Sequence, residues 1–195
     1  KKAISGTNLE QAKSHNRRVV IEAIRTSGAL SRAAVARMTA LSSQTVSNIV
    51  EELETAGLLS PEPTLKGARG QPAVPYTINP DGGYSIGLQL DHQLLVGVIT
   101  DLSGTVRTRI ERRVDRPTPA QAMPLLAATA DDLMRDFRFD RSRLFGIGMA
   151  MPGPFGVEGM TSVGPTALPG WQDFPIAEEL QRLTGIPVTV ENDAT

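Results

Sequence analysis

The stretch from Ser31 to Leu59, SRAAVARMTALSSQTVSNIVEELETAGLL, constrains this chain more than any other. Ser31 is a suitable N-cap for a short helix over Arg32–Thr39. Ser42 is the next N-cap, because its hydroxyl can accept from the free amides of a helix over Ser43–Ala56. Gly57 supplies the left-handed stop. In the second helix Val46, Ile49, Val50 and Leu53 recur at spacings of three and four, which places them on one face. Gln44, Thr45, Ser47 and Asn48 fall mostly on the other face, in the first turns. A short helix, a tight turn and a longer helix opening on amide and hydroxyl side chains describe a helix-turn-helix reader of double-stranded DNA.

The flanking segments extend that unit. Asn8 to Thr26 carries a partial helical stripe of Leu9, Ala12, Val19, Val20, Ala23 and Ile24, with Gly28 as its stop. After Gly57, two extended runs, Leu58–Pro61 and Ala73–Ile78, enclose TLKGARGQP. Two strands around a Gly-rich basic loop form a wing. An Arg in a Gly-rich loop, as Arg69 is between Gly67 and Gly70, suits a narrow A·T minor groove, since Gly lets the backbone approach and the groove's negative potential attracts the guanidinium.

Charge divides the chain in the same way. Residues 1–80 hold 10 Lys/Arg against 6 Asp/Glu, whereas 81–195 hold 10 against 15. A basic head on an acidic body fits a phosphate-binding module joined to one with another task. Base edges would be read by Gln44 and Asn48, with Ser42, Ser43, Thr45 and Ser47 reaching phosphate or a thymine methyl. Arg17, Arg18, Arg32, Arg37 and Lys66 would contact phosphates. The acids of the second helix, Glu51, Glu52 and Glu54, stand at its far end.

Asn79-Pro80-Asp81-Gly82-Gly83 is a turn cluster and the expected boundary, giving a head over 1–80 and a body over 81–195. The body begins with a three-strand meander. Ile86, Leu88 and Leu90 alternate, Leu94–Thr100 reads as a buried strand, and Asp101-Leu102-Ser103-Gly104 turns into Thr105–Arg113. A helix follows over roughly Pro119–Phe137, then a buried strand over Phe145–Met151, a short helix over Ile176–Thr184 and a strand over Val188–Glu191. That order is α/β. The chain has no cysteine, so neither a disulfide nor a cysteine zinc site can form within it. His15 and His92 are isolated and suggest no metal. Neither a membrane span nor a secretory signal is visible, and a cytoplasmic location is expected.

At this point the residues carry a resemblance. NRRVVIEAIRTSGALSRAAVARMTALSSQTVSNIVEELETAGLL, followed by GARGQPAVPYTIN, resembles the winged helix-turn-helix head of ROK (repressor, ORF, kinase) family regulators. GIGMAMPGPF, ALPGWQDFPIAEEL and GIPVTVENDAT resemble successive motifs of the same family's body. The resemblance implies the first half of an actin-like, ribonuclease-H-like sugar-kinase fold behind the head. It also implies a sugar or sugar derivative as effector, a homodimer or higher oligomer, and transcriptional repression. Asn192 and Asp193 match the family's sugar-binding Asn and the Asp that is the base in its kinases, while Gly153 and Pro154 would shape the pocket wall. Read without the resemblance, Asp193 equally suits the cap of a following helix.

Departures bear on activity. ROK kinases cradle ATP phosphates with an Asp, two Gly and a Thr. Here the corresponding stretch is Gln89-Leu90-Asp91-His92-Gln93, without glycine. Backbone amides need a Gly-rich turn to approach phosphates closely. A regulator is therefore expected rather than an enzyme, with no catalytic residue and no cofactor in this chain; the alternative is a ROK-type sugar kinase with a DNA-binding head. Ala167 stands where many members place a sugar-contacting Asn, and Gln71 where relatives carry a second basic wing residue. A family zinc site of His and Cys would fall only beyond Thr195.

Overall fold

The computed structural model describes residues 7–63, 73–152, 168, 170–171 and 174–192, with residues 7–10 and 192 described in backbone only. The chain divides into two compact units, 1–82 and 83–195.

The first unit holds three helices, α1 (Thr7–Ser27), α2 (Arg32–Thr39) and α3 (Ser43–Thr55). A small antiparallel sheet joins them, with β1 (Leu30–Ser31), β2 (Leu59–Pro61) and β3 (Pro75–Ile78) in the order β1-β3-β2. Ser31 caps α2 by accepting from the Ala34 amide at 3.3 Å, and Ser42 caps α3 by accepting from the Thr45 amide at 3.1 Å. Gly57 takes φ +73° after α3. The turn between α2 and α3 runs through Ala40, a non-glycine residue in the left-handed region at φ 57°. Val20, Ile24, Val35, Val46, Ile49, Val50, Leu53, Leu59 and Tyr76 form the core. The expected stripe of α1 is buried only in its second half, since Ala12 is exposed while Val20, Ala23 and Ile24 are buried. The described part of the core is supplied by α2, α3, the sheet and the second half of α1, from Val20 onward.

The second unit is one five-stranded sheet, with β4 (Tyr84–Leu90), β5 (Leu94–Asp101), β6 (Val106–Arg113), β7 (Leu144–Met151) and β8 (Val188–Asn192) ordered β6-β5-β4-β7-β8. The first three strands form an antiparallel meander, and β7 and β8 run parallel to β4. Helices α4 (Pro119–Asp136) and α5 (Ile176–Thr184) close a core of Ile86, Leu88, Leu90, Leu95, Ile99, Leu126, Leu133, Met149, Met151 and Leu180. Gly97 lets α4 approach, because a Cβ there would come within 2.7 Å of Thr129 and 2.9 Å of Leu133.

Two strands expected to be buried are buried on one face only. In β5, Leu95, Gly97, Ile99 and Asp101 are buried and the alternate residues are not. In β7, Ile147, Met149 and Met151 are buried, whereas Phe145 is 53% exposed. Both described body helices lie on the same side of the sheet, so an apolar run such as LLVGVIT need not mark burial on both sides.

Candidate nucleic-acid interface and effector region

Helix α3 sorts its residues sharply. Val46, Ile49, Val50 and Leu53 are buried, and Ser43, Gln44 and Asn48 are exposed, with Ser47 half-buried beside them. No acid lies in the first turn of α3. Ser42 and Thr45 are engaged with one another, hydroxyl to hydroxyl at 2.8 Å, in addition to the cap bond. The Gln44 amide donates to Asn48 Oδ1 at 2.8 Å, so these two exposed side chains are already linked one turn apart.

The cations expected at phosphates fall into two groups. Arg17 donates through Nε to Glu52 at 3.0 Å, and this hydrogen bond and charge hold the Glu52 carboxyl below its ordinary pKa. Arg32 donates to the Tyr76 hydroxyl at 2.9 Å, lies 5.2 Å from the centre of that ring, and stands 3.9 Å from the Glu54 carboxylate. Arg18 and Arg37 are exposed, without an ion-pair partner among the described residues. Sequence reasoning could not separate these groups: Arg17 and Glu52 are 35 residues apart and Arg32 and Tyr76 are 44 apart, so no local spacing announces either pairing. Lys66 and Arg69, at the expected wing tip, lie outside the described residues.

In the second unit the carboxyl ends of the parallel strands meet at one edge. Met151 at the end of β7 pairs with Asn192 at the end of β8, and Gln89 near the end of β4 pairs with Ala150. Gly153, Pro154 and Asp193 lie outside the described residues. Crevices at the carboxyl ends of such strands are where α/β sheets bind ligands. At the end of β4 the chain turns tightly into β5, the Asp91 amide donating to Leu94 O at 2.8 Å and the His92 amide to the Asp91 carboxylate at 2.6 Å. Trp171 is buried against Phe174, its indole N–H donating to Pro117 O at 2.8 Å, which makes it a packing residue.

Three helices on a small antiparallel sheet, followed by a mixed five-stranded sheet with helices, define a two-module protein: a helix-turn-helix unit ahead of an α/β unit. The family model described as ROK family matches residues 86–195, and the chain belongs to this family. Among its relatives, the "Xylose repressor" of Bacillus subtilis is 25% identical over 92% of this chain and 46% of the relative. A transcriptional regulator of Mycobacterium bovis is 31% identical over 88% of this chain and 39% of its own length. The crystal structure of a ROK family transcriptional regulator, described as a homologue of the Escherichia coli MLC protein, matches with a TM-score of 0.71 at 24% identity. It covers 93% of this chain and 46% of that one, and the likeness is one of fold. The chain therefore spans about half the length of the relatives it matches. Among the described residues, no helix is long and apolar enough to cross a membrane.

Proposed function

We propose that this protein is a sequence-specific DNA-binding transcriptional regulator, acting as a repressor and answering to a sugar or sugar derivative. The observation that carries the proposal is the outer face of α3. It is free of acid in its first turn and carries Ser43, Gln44 and Asn48 exposed on a helix whose other side is locked into the core. Amides and hydroxyls at the start of a docked helix are the groups that read base edges in the major groove. Arg18 and Arg37 would supply phosphate contacts that fix its register, and Lys66 and Arg69 would extend them. Membership of the ROK family, whose relatives include a named xylose repressor, supports both the regulator and the sugar.

A kinase function is disfavoured by the β4–β5 turn. It contains no glycine, and two of its amides are already engaged, that of Asp91 by Leu94 O and that of His92 by the Asp91 carboxylate. Phosphate cradles need several amides pointing outward at once.

The effector would bind at the carboxyl ends of β7 and β8, with Asn192 and Asp193 accepting hydroxyl hydrogens beside Gly153 and Pro154. Binding there acts on transcription by favouring one arrangement of paired heads over another, so that two half-sites no longer fit together. Paired heads require a homodimer or a higher oligomer. The test is calorimetry against a panel of pentoses, hexoses and their amino derivatives. One class should bind, and Asp193→Ala should weaken it by roughly one to two orders of magnitude, as expected on removing a charged hydrogen-bond acceptor. Unchanged affinity in Asp193→Ala would move the effector elsewhere.

A further inference from the structure

We propose that Gln44 and Asn48 form a single reading unit that selects an adenine·thymine pair at one operator position, rather than two readers of two bases. The proposal rests on the DNA-reading function given above.

The bond between the two side chains is the starting point. Four residues of helix rise about 6 Å, nearly two base-pair steps of about 3.4 Å, so unlinked side chains at these positions would fall on different bases. Here the Gln44 amide donates to Asn48 Oδ1 at 2.8 Å, which draws both polar ends together on the exposed face. That bond uses a donor of Gln44 and an acceptor of Asn48. It leaves the Gln44 carbonyl oxygen as acceptor and the Asn48 amide as donor, side by side. If both amides turn over, Asn48 donates to Gln44, and the pair again presents one acceptor and one donor.

Adenine is the base whose major-groove edge offers one donor, N6–H, beside one acceptor, N7. Guanine offers two acceptors, which would set its O6 against the unit's own carbonyl oxygen. Cytosine offers a donor alone, and thymine an acceptor and a methyl group. Asn48 is also kept available on its other side. Glu52, one turn further along α3, is the natural competitor for the Asn48 amide, but it accepts from Arg17 through Oε2, and among the described residues the Asn48 amide donates to no group. Side chains already held together lose less rotamer freedom on docking than two separate ones.

The test is selection of bound duplexes from a randomised library, followed by competition titrations, with the full chain as wild type, Gln44→Ala, Asn48→Ala and the double variant. Both positions are exposed, and circular dichroism melting checks that each variant is folded. The expected result is disappearance of an A·T preference at one and the same position in all three variants, by about tenfold to a hundredfold. The double variant should fall no further than the worse single one. Effects at two different positions, or effects that multiply in the double variant, would overturn the shared unit while leaving DNA reading intact. A wild-type selection unaffected by either substitution would overturn the shared unit and also remove this face of α3 as the reading element. If the wild type enriches no sequence, the DNA-reading function fails and the proposal falls with it.

Discussion

The guanidinium of Arg32 lies over the Tyr76 ring, 5.2 Å from its centre, and donates to the same residue's hydroxyl at 2.9 Å. The pairing ties the first residue of α2 to β3, across 44 residues of chain. A cation over an aromatic face and one hydrogen bond together contribute about 1–2 kcal/mol at a half-exposed site. Arg32→Ala should lower the stability of the first unit by about that amount, and Tyr76→Phe by less, since the ring face remains. Amide hydrogen exchange of α2 and α3 measures this directly, and equal protection in wild type and Arg32→Ala would show that the pairing does not stabilise the head.

Ion pairing inside the head predicts which cations serve DNA. Removing one cation that binds a phosphate should reduce the slope of log affinity against log salt by about one. Arg18→Ala and Arg37→Ala should each do so. Arg17→Ala and Arg32→Ala should change the slope less, because their guanidinium groups are engaged with Glu52 and with Tyr76 and Glu54. Salt-dependent titrations of the four variants would show the reverse order if the internal pairs open on binding.

Ala40 turns α2 into α3 at φ 57°. A left-handed conformation costs a residue with a Cβ roughly 1–2 kcal/mol, partly offset in glycine by the greater freedom of its unfolded chain. Ala40→Gly should therefore stabilise the head by about 0.5–1 kcal/mol without altering which DNA it prefers. Denaturant unfolding of the two proteins checks this, and a destabilised variant would mean that packing of the Ala40 methyl outweighs the strain.

Asp101 gives the body a pH dependence. Its side chain is 2% exposed. Burial alone would raise its pKa, but this is outweighed by the Ser103 hydroxyl, Arg107 and the Thr105 and Ser103 amides, which hold the carboxyl below its ordinary value. A folded pKa below the unfolded value of about 3.9 means the stabilisation is complete above that pH and disappears as pH falls through the folded pKa. Asp101→Asn should cost about 1–3 kcal/mol at pH 7, and the gap to wild type should shrink below about pH 4. Denaturant unfolding followed by fluorescence of Trp171, the sole tryptophan and buried in this unit, reads the effect. A gap that stays constant down to low pH would show that Asp101 acts by shape and not by charge.

Much of this architecture is legible in local pattern. The caps Ser31 and Ser42, the stop at Gly57 and the stripe Val46, Ile49, Val50 and Leu53 are short-range signals, and each lies where its spacing puts it. The strands and helices of the body follow from alternation and turn residues in the same way. Burial on one face or two is not accessible, because the side of the sheet on which α4 and α5 pack is a tertiary fact; Phe145 shows it, reading as a core aromatic and standing 53% exposed. Nor can the pairing of Arg17 with Glu52 be foreseen, since it depends on how α1 crosses α3. At the α3 surface the residue types are legible but the bond between Gln44 and Asn48 is not, because their side chains could as well have pointed apart.

The most direct measurement is fluorescence anisotropy of the protein with a duplex enriched by selection, against a scrambled duplex of the same composition, near 0.15 M salt. Sequence-specific regulators favour their sites over non-specific DNA by about a thousandfold or more at such salt. A preference of that order, reduced at least tenfold by Asn48→Ala, is the predicted result. Equal affinity for the two duplexes, or a preference that survives Asn48→Ala intact, would contradict the assignment of α3 as the element that reads DNA.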